Sequence, residues 1–402
     1  MGVRYIQGFN GVKVIYFDNN ATTRVADEVL EEMLPYFSEQ YGNPSSIHAF
    51  GSQVQGKLTI ARERVADLLG AYDPSEIIFT SCGTESNNNA IKGTLEAFPD
   101  KRHIVTTKVE HPAVLSLCKH LVEAGYQLTE LNVDHDGMLD LDELRSTLRD
   151  DTAIVSIMYA NNETGVIFPI EDIGKIVKER GITFHCDAVQ AVGKIPINLR
   201  NSTVDLLSLS GHKLHAPKGV GALYIRKGVR LSPFIIGGHQ EQGRRAGTEN
   251  VPSIIGLGKA CELAKKYIVE EQTKVRKLRD TLENGLLSKL PNVKVNGHKT
   301  KRLPNTSNIS FEYIEGEAIL LYLSEIGVAA SSGSACTSGS AEPSHVLTAM
   351  GVPTAAHGSV RFSLSRYNTL DDVECVLEKV PPIVERLREI SPFGKEILKS
   401  KT

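Results

Sequence analysis

The stretch that decides the fold is Asp205-Leu-Leu-Ser-Leu-Ser-Gly-His-Lys213, which is followed by Pro217-Lys-Gly-Val-Gly-Ala-Leu223. Its apolar run predicts a buried strand that ends at Ser210 and delivers His212 and Lys213 beyond the strand end. A lysine beside a buried apolar strand loses hydration, which favours its neutral, nucleophilic amine. The plain alternative is a surface lysine at a strand end, and this stretch alone does not decide between the two.

Strands and helices alternate from about residue 20 to residue 260. The predicted strands are Glu76–Thr80, His103–Thr107, Ala153–Met158, Thr183–Cys186, Leu206–Leu209 and Gly221–Ile225, and the predicted helices between them include Gln53–Leu69, Ala113–Ala124 and Ile170–Arg180. This order predicts an α/β fold with a mostly parallel sheet covered by helices on both faces. Because ligands bind such sheets beyond the carboxyl ends of the strands, the chemistry is expected in the residues that follow each strand.

The pattern changes near residue 262, where a long helix begins with apolar residues at helical spacing (Val275, Leu278, Leu282 and Leu286). Further strands are predicted at Val293–Val295, Asn308–Tyr313 and Ser359–Leu364, with a helix near Glu317–Glu325 and a Ser/Gly/Ala-rich loop over residues 331–343. We predict a large domain over residues 20–262. Residues 1–19 and 263–402 are predicted to form a smaller α+β domain that carries the loop.

Composition excludes several classes of protein. The 402 residues carry a formal net charge of −3, without a basic stripe, which argues against a nucleic-acid partner. The six cysteines form no CxxC pair and no Cys/His cluster at zinc spacing, so no metal site is predicted and reduced thiols in the cytoplasm are expected. The first residues do not have the pattern of a signal peptide, and no apolar run reaches the ~18 residues of a membrane span.

Asp187 follows another predicted strand, within Phe184-His-Cys-Asp187-Ala-Val-Gln190. A carboxylate at this point is suited to pair with a protonated pyridine nitrogen, which keeps a pyridine ring an electron sink. A helix N-cap aspartate is the common alternative. A strand-end aspartate together with the strand-end Lys213 favours the cofactor interpretation.

A phosphate cradle is predicted in Ile77-Ile-Phe-Thr-Ser-Cys-Gly-Thr84, where a strand and a glycine turn open a helix. Exposed backbone N–H groups and the helix dipole favour an anion there, although an ordinary capped helix start has the same pattern. His111 follows the next strand, where its ring is able to stack on a flat cofactor and move protons. Asn162 follows another strand and offers an amide to a polar ligand group.

These residues resemble the class V aminotransferase branch of fold-type I pyridoxal-phosphate enzymes, and within it the cysteine desulfurases of the NifS/IscS type. The resemblance runs from about residue 14 to the last helix. It is carried by Asp18-Asn-Asn-Ala-Thr-Thr23, Tyr41-Gly-Asn-Pro-Ser-Ser46, Ala160-Asn-Asn-Glu-Thr-Gly165, Gly243-Arg-Arg-Ala-Gly-Thr248, Ser331-Ser-Gly-Ser-Ala-Cys336 and Val360-Arg361-Phe-Ser.

The resemblance implies a role for each matching position. Lys213 holds pyridoxal 5'-phosphate and abstracts the substrate α-proton, and His111 stacks on the ring and acts as acid and base. The other implied cofactor contacts are Asp187 to the pyridine nitrogen, Gln190 to the ring hydroxyl, and Gly83, Thr84, Ser210 and His212 to the phosphate, with Thr248 reaching in from the second subunit of a homodimer. Arg361 and Asn162 are implied to bind the substrate carboxylate, a task that suits a planar guanidinium.

Cys336 lies in a run of Ser, Gly and Ala, and from its residues alone it is an inert thiol in a loop with few packing contacts. The resemblance implies that its thiolate takes sulfur from L-cysteine, which leaves L-alanine and a persulfide. The persulfide is then expected to pass its sulfur to an acceptor such as an iron–sulfur scaffold protein.

Three alternatives remain open at this point. A selenocysteine lyase or another β-lyase needs no attacking thiol, and an assembly scaffold needs no cofactor. A transaminase releases a keto acid rather than alanine, and a cysteine in the position of Cys336 argues against it.

Overall fold

The computed structural model describes residues 14–332, 344–353 and 358–391. In these residues the strands are β1 (Ile15–Tyr16), β2 (Ile77–Thr80), β3 (His103–Thr107), β4 (Gln127–Leu131), β5 (Thr152–Ser156), β6 (Thr183–Asp187), β7 (Leu206–Ser210), β8 (Gly221–Ile225), β9 (Val293–Asn296), β10 (Thr306–Phe311), β11 (Val328–Ala329) and β12 (Ser359–Ser363). The helices are α1 (Asp27–Met33), α2 (Pro35–Ser38), α3 (Ala49–Leu69), α4 (Gly83–Ala97), α5 (Pro112–Glu123), α6 (Leu141–Thr147), α7 (Ile170–Glu179), α8 (Val251–Glu270), α9 (Arg276–Lys289), α10 (Gly316–Glu325), α11 (His345–Ala349) and α12 (Leu370–Ile390). None of them has the length and hydrophobicity that crossing a lipid bilayer requires.

The large sheet has the strand order β2-β8-β7-β6-β5-β3-β4. Strands β3 to β7 run parallel to one another, whereas β8 pairs antiparallel with both β2 and β7. Every residue of β5, β6 and β7 is buried, as expected for central strands covered on both faces. This arrangement confirms the predicted α/β fold class.

The predicted strands overlap the observed ones and differ only at their ends, but β4 and the two-residue strands β1 and β11 were not predicted. Strand β4 belongs to the large sheet. Its residues, Gln127-Leu-Thr-Glu-Leu131, lie at the edge of the sheet, and only Leu131 is buried. A short, mostly polar edge strand does not show the apolar run by which the central strands were found.

Helices cover both faces of the large sheet. On one face α3 and α8 pack closely, since a Cβ atom at Gly258 would lie 2.6 Å from the Cα atom of Ala61. On the other face α4 and α5 bury an apolar cluster that includes Ile91, Val114 and Leu121. The two layers leave only the strand ends of the sheet open to a ligand.

A second, antiparallel sheet has the order β12-β10-β9, and the short strand β1 pairs with β11 nearby. Residues of β1, α9, α10 and α12 join these strands in a separate apolar core. The helix that crosses residue 262 is continuous, because a π-helical segment (Glu271–Val275) joins α8 to α9. The division of the chain at residue 262 stays a prediction. The second core supports it, while Val346, Leu347 and Met350 of the later chain pack into the first core.

We expect Leu282→Ala in α9 to lower the free energy of unfolding by about 2–5 kcal/mol, because it empties a fully buried site in the second core. Leu287→Ala on the same helix is the matched control, since Leu287 is 37% exposed and should change stability by no more than about 1 kcal/mol. Urea unfolding followed by circular dichroism gives both values. Equal losses in the two variants would contradict the described packing of α9.

Candidate active site

A cavity of about 220 Å³ lies at the carboxyl ends of the large sheet's strands. Among the residues that line it are those predicted to bind the cofactor or substrate, namely Gly83, Thr84, His111, Asn162, Asp187, Gln190, Ser210, His212 and Lys213. The lining also includes Cys82, Asn87, Met158 and Val189, to which the sequence assigned no role. The structure therefore brings together residues from distant parts of the chain, from Ala21 to Lys213.

Lys213 closes a short 3₁₀ turn (Gly211–Lys213) that directly follows strand β7. Its Nζ donates hydrogen bonds to the backbone carbonyls of Asn20 and Ala21, the latter at 2.6 Å. These carbonyls belong to the turn that follows β1. The amine is thus oriented by two backbone carbonyls of the N-terminal segment.

Asp187 ends strand β6 and is 5% exposed. Its Oδ2 accepts a hydrogen bond of 2.7 Å from Nδ2 of Asn87, and its Oδ1 accepts one of 3.0 Å from the backbone N–H of Val189. Two neutral donors fix the plane of the carboxylate without cancelling its charge. The negative charge therefore remains for a cationic group of a ligand.

An anion cradle lies at the other end of the cavity. Helix α4 begins at Gly83 without a side-chain cap, so its first N–H groups are directed at the cavity. A Cβ atom at position 83 would lie 2.7 Å from Cγ2 of Val189, which explains the glycine. Among the described residues, the buried Oγ of Ser210 has no hydrogen-bond partner. A bound phosphate satisfies both the amides and this hydroxyl.

Two histidines face the cavity in their neutral forms. His111 is the N-cap of α5, and its Nδ1 accepts a hydrogen bond of 3.1 Å from the N–H of Ala113, so the proton of the neutral ring is on Nε2. Burial lowers the pKa of His111, with Asp187 opposing and Lys213 adding to the shift. Burial also lowers the pKa of His212 to about 4. Both rings are therefore uncharged at neutral pH.

Arg361 brings the second sheet to the cavity. It is 2% exposed, and its Nη1 and Nη2 donate to the carbonyl of Asn162 at 3.0 Å and to Oδ1 of Asp18 at 2.9 Å. Its Nε is buried and has no hydrogen-bond partner in the described part of the chain. The guanidinium is thus held against the backbone of Asn162 and keeps an N–H donor for a ligand.

Three of the predicted site residues do not line the cavity, and one of them, Arg361, contacts the lining residue Asn162 from outside it. Thr248 is exposed and does not line it. Cys336 lies outside the described residues, but both flanks of its segment are placed. The backbone of Ser331 pairs with that of Arg361, and Oγ of Ser344 donates a hydrogen bond of 2.5 Å to Oε2 of Glu163. The segment therefore starts and ends at residues that adjoin the cavity.

Glu110 is a buried acid next to His111 that sequence reasoning did not single out. It is fully buried, and its Oε1 accepts from Oγ1 of Thr107 at 2.8 Å and from the N–H of Met158 at 3.0 Å. Burial raises the pKa of Glu110 to about 8, and the charge of Asp187 adds to the shift. The side chain is thus protonated at neutral pH. Its position directly before His111 is the only sequence signal, since burial cannot be read from one residue type.

A lysine and an aspartate at adjoining strand ends, with an anion cradle opposite, are the parts with which pyridoxal-phosphate enzymes hold their cofactor. The family model for class-V aminotransferases matches residues 15–376, and the chain belongs to this family. It is 63% identical over 386 residues to the cysteine desulfurase of Trichormus azollae, which covers 96% of each chain.

Other relatives agree with this assignment. The chain is 60% identical over 380 residues to the cysteine desulfurase NifS of Azotobacter vinelandii, covering 94% of each chain. It superposes on a solved NifS-like protein with a TM-score of 0.87 at 44% identity, over 93% of this chain and 100% of that one. The predictions of family, enzymatic activity and pyridoxal-phosphate dependence are confirmed.

The raised pKa of Glu110 predicts a pH-dependent stability. Because its folded value of about 8 lies above the unfolded value of about 4.3, the folded chain holds a proton that the unfolded chain releases. Stability therefore falls between these two pH values, by about 1.4 kcal/mol per pH unit for this group. Glu110→Gln has no such proton, and we expect it to gain stability relative to the unmodified chain as the pH rises through this window.

Urea unfolding of the cofactor-free protein at several pH values gives this comparison. Glu28→Gln is the control, because Glu28 is exposed and its substitution should leave the pH dependence unchanged. A constant difference between Glu110→Gln and the unmodified chain across the window would show that Glu110 is ionised in the folded protein.

Proposed function

We propose that this chain converts L-cysteine to L-alanine and passes the sulfur through a persulfide on Cys336. Cysteine desulfurase activity is confirmed by the relatives, and the persulfide route is the finer proposal. The substrate's Cβ–S bond breaks, an S–S bond to Cys336 forms, and the β-carbon gains a hydrogen. The observation that carries the proposal is the cavity that Lys213 and Asp187 line together with the cradle residues Gly83 and Ser210.

The cavity fits pyridoxal 5'-phosphate at both ends. The α4 amides at Gly83 and Thr84 and the unpartnered hydroxyl of Ser210 hold the phosphate, and the carboxylate of Asp187 holds the pyridine nitrogen. When bound through Lys213, the cofactor supplies an electron sink for the substrate's Cα. The two neutral donors to Asp187 hold its carboxylate in a fixed plane for the pyridine nitrogen.

The chain's own residues move the protons. Lys213 is placed to take the α-proton, since it lines the cavity and its Nζ is oriented by two carbonyls. His111 has its proton on Nε2, because its Nδ1 accepts from the N–H of Ala113. In this state the neutral ring is a hydrogen-bond donor to a ligand group, and it acts as acid and base once it exchanges a proton with that group.

Arg361 and Asn162 bind the substrate carboxylate in this proposal. The unpartnered Nε and the remaining Nη hydrogens of Arg361 provide donors, and Asp18 holds the guanidinium in place. A buried guanidinium with this orientation recognises a carboxylate with two parallel hydrogen bonds. The amino acid substrate is thus fixed between the second sheet and the cofactor.

A homodimer completes the site in this proposal. Thr248 is exposed in its own chain, which fits a role in the cavity of a second copy. Apolar side chains are also exposed in and directly after the family motif Tyr41-Gly-Asn-Pro-Ser-Ser46, among them Tyr41 (70% exposed) and Ile47 (fully exposed). Exposed apolar groups of this kind mark protein–protein contact surfaces.

The sulfur acceptor is proposed to be a protein, such as an iron–sulfur scaffold, in the cytoplasm. The described cysteines, which are Cys82, Cys118, Cys186, Cys261 and Cys375, are all free thiols. This is the state expected in a reducing compartment. In such a compartment a persulfide on Cys336 passes its outer sulfur on when an acceptor thiolate attacks it.

We expect Cys336→Ala to keep the cofactor's visible absorption band and its change on addition of cysteine, but to release no sulfide. Lys213→Ala should lose both the band and turnover. Mass spectrometry of the unmodified protein after cysteine addition should find one extra sulfur on the Cys336 peptide. Sulfide release from cysteine at an undiminished rate in Cys336→Ala would refute the persulfide route and favour a β-lyase or selenocysteine lyase.

We expect Thr248→Ala to weaken cofactor binding about tenfold, the effect of losing one hydrogen bond to a charged group. Thr59→Ala, at another exposed threonine, is the control. Light scattering should give twice the mass of one chain. A mixed dimer then locates the contact, with Thr248→Ala in one chain and Lys213→Ala in the other. The one cavity that keeps Lys213 should bind the cofactor normally if Thr248 reaches in from the other chain. Weakened binding in that cavity would show that Thr248 acts in its own chain.

A further inference from the structure

A second lysine lies behind the cavity and has no part in the reaction proposed above. Lys194 follows strand β6 and is only 6% exposed. Its Nζ donates hydrogen bonds of 2.8 Å to Oε1 of Gln190 and 3.1 Å to Oδ1 of Asn20. A buried amine with two side-chain acceptors is costly to desolvate, so its position requires an explanation.

The contacts of Lys194 determine the orientation of the Gln190 amide. Glutamine has a donor end and an acceptor end, and only the partners decide which end points where. Lysine nitrogen carries N–H donors in its charged and neutral forms, so the oxygen of Gln190 faces Lys194. Nε2 of Gln190 consequently donates to the carbonyl of Asn20 at 3.0 Å, and its second N–H is left for the cavity that Gln190 lines.

We propose that Lys194 is a positioning residue that makes Gln190 present an N–H group, rather than an oxygen, to the cofactor's ring oxygen. This inference rests on the proposed contact between Gln190 and that oxygen. A donor stabilises the anionic form of the ring oxygen, whereas an amide oxygen would repel it. Lys194 thus acts on the cofactor through Gln190, without touching it.

The position of Asn20 depends on Lys194 only in part. Its N–H group bonds to Oγ of Ser363, and its side chain contacts Oγ1 of Thr306 and Nδ2 of Asn305. Loss of the Lys194 contact therefore leaves in place the Asn20 carbonyl that accepts from Lys213. The effect of Lys194 on the cofactor then passes through Gln190.

The charges around Lys194 are consistent with this role. Burial lowers the pKa of Lys194 to about 7, and the charges of Lys213 and Arg361 add to the shift, while Glu271 opposes it. Glu271 belongs to the π-helical segment between α8 and α9 and is itself buried. Burial raises the pKa of Glu271 to about 7. The orientation of Gln190 survives titration, since neutral lysine still donates.

A double-mutant cycle tests the proposal with Lys194→Met, Gln190→Ala and the combined variant. Each protein is loaded with pyridoxal 5'-phosphate, and two quantities are measured besides turnover: the cofactor dissociation constant and the pH midpoint of the visible absorption band. We expect Lys194→Met to weaken binding about fivefold and to raise the midpoint by about half to one pH unit, the effect of one hydrogen bond. Lys175→Met, at an exposed lysine of α7, is the control.

The cycle distinguishes positioning from plain structural support. If Lys194 acts through Gln190, the combined variant matches Gln190→Ala, because the two effects are not additive. Fully additive effects, or a Lys194→Met protein that is unstable without cofactor yet has an unshifted midpoint, would overturn the proposal. If Lys194→Met does not fold, Lys194→Gln replaces it, and a shorter donor should give a smaller shift in the same direction.

Failure of the proposed function gives a different result. A chain without any visible cofactor band would refute the pyridoxal-phosphate site itself. Gln190→Ala with unchanged affinity and midpoint would refute the contact between Gln190 and the ring oxygen, and the role of Lys194 with it. An effect of Gln190→Ala without one of Lys194→Met would overturn the role of Lys194 alone.

Discussion

Asn20 connects the two sheets of this molecule through hydrogen bonds from both its backbone and its side chain. Its N–H group bonds to Oγ of Ser363 at 2.9 Å, and its side chain contacts Oγ1 of Thr306 at 2.9 Å and Nδ2 of Asn305 at 3.0 Å. Its carbonyl accepts from Lys213 on the large-sheet side. The position of the Lys213 amine is therefore fixed relative to the second sheet, and with it to Arg361, the residue proposed to bind the substrate. The distance between Lys213 and Arg361 therefore depends on the hydrogen bonds of Asn20.

The environment of the cavity carries little net charge at neutral pH, because burial shifts its titratable groups toward their neutral forms. Glu110 is protonated, His111 and His212 are uncharged, and Lys194 and Glu271 are close to their midpoints. Asp187 and Arg361 are themselves buried, so solvent screens their charges only weakly. Each of these two then interacts more strongly with a ligand than it would in water.

Sequence reasoning predicted most of the lining of the cavity, and the reason is geometric. Parallel strands place the residue after each strand at one edge of the sheet, so the strand pattern alone predicts that Asp187 and Lys213 lie close together. Asn20 and Lys194 could not be placed from the sequence, because the burial of a polar residue depends on partners that are distant in sequence. Strand β4 was missed for the opposite reason, since an exposed edge strand has no apolar run. The role of Cys336 came from family resemblance, and the described residues fix only its two flanks.

The pairing of β1 with β11 has a consequence for the order in which the molecule assembles. Ile15 and Tyr16 make their strand contacts with Val328 and Ala329, which are synthesised more than 300 residues later (328 minus 15 is 313). Closing so long a loop carries an entropic cost and slows folding relative to local contacts. During translation the large sheet has all its strands well before β1 finds its partner. The turn at Asn20 then docks late, so the reactive lysine reaches its final orientation only when nearly the whole chain has emerged from the ribosome.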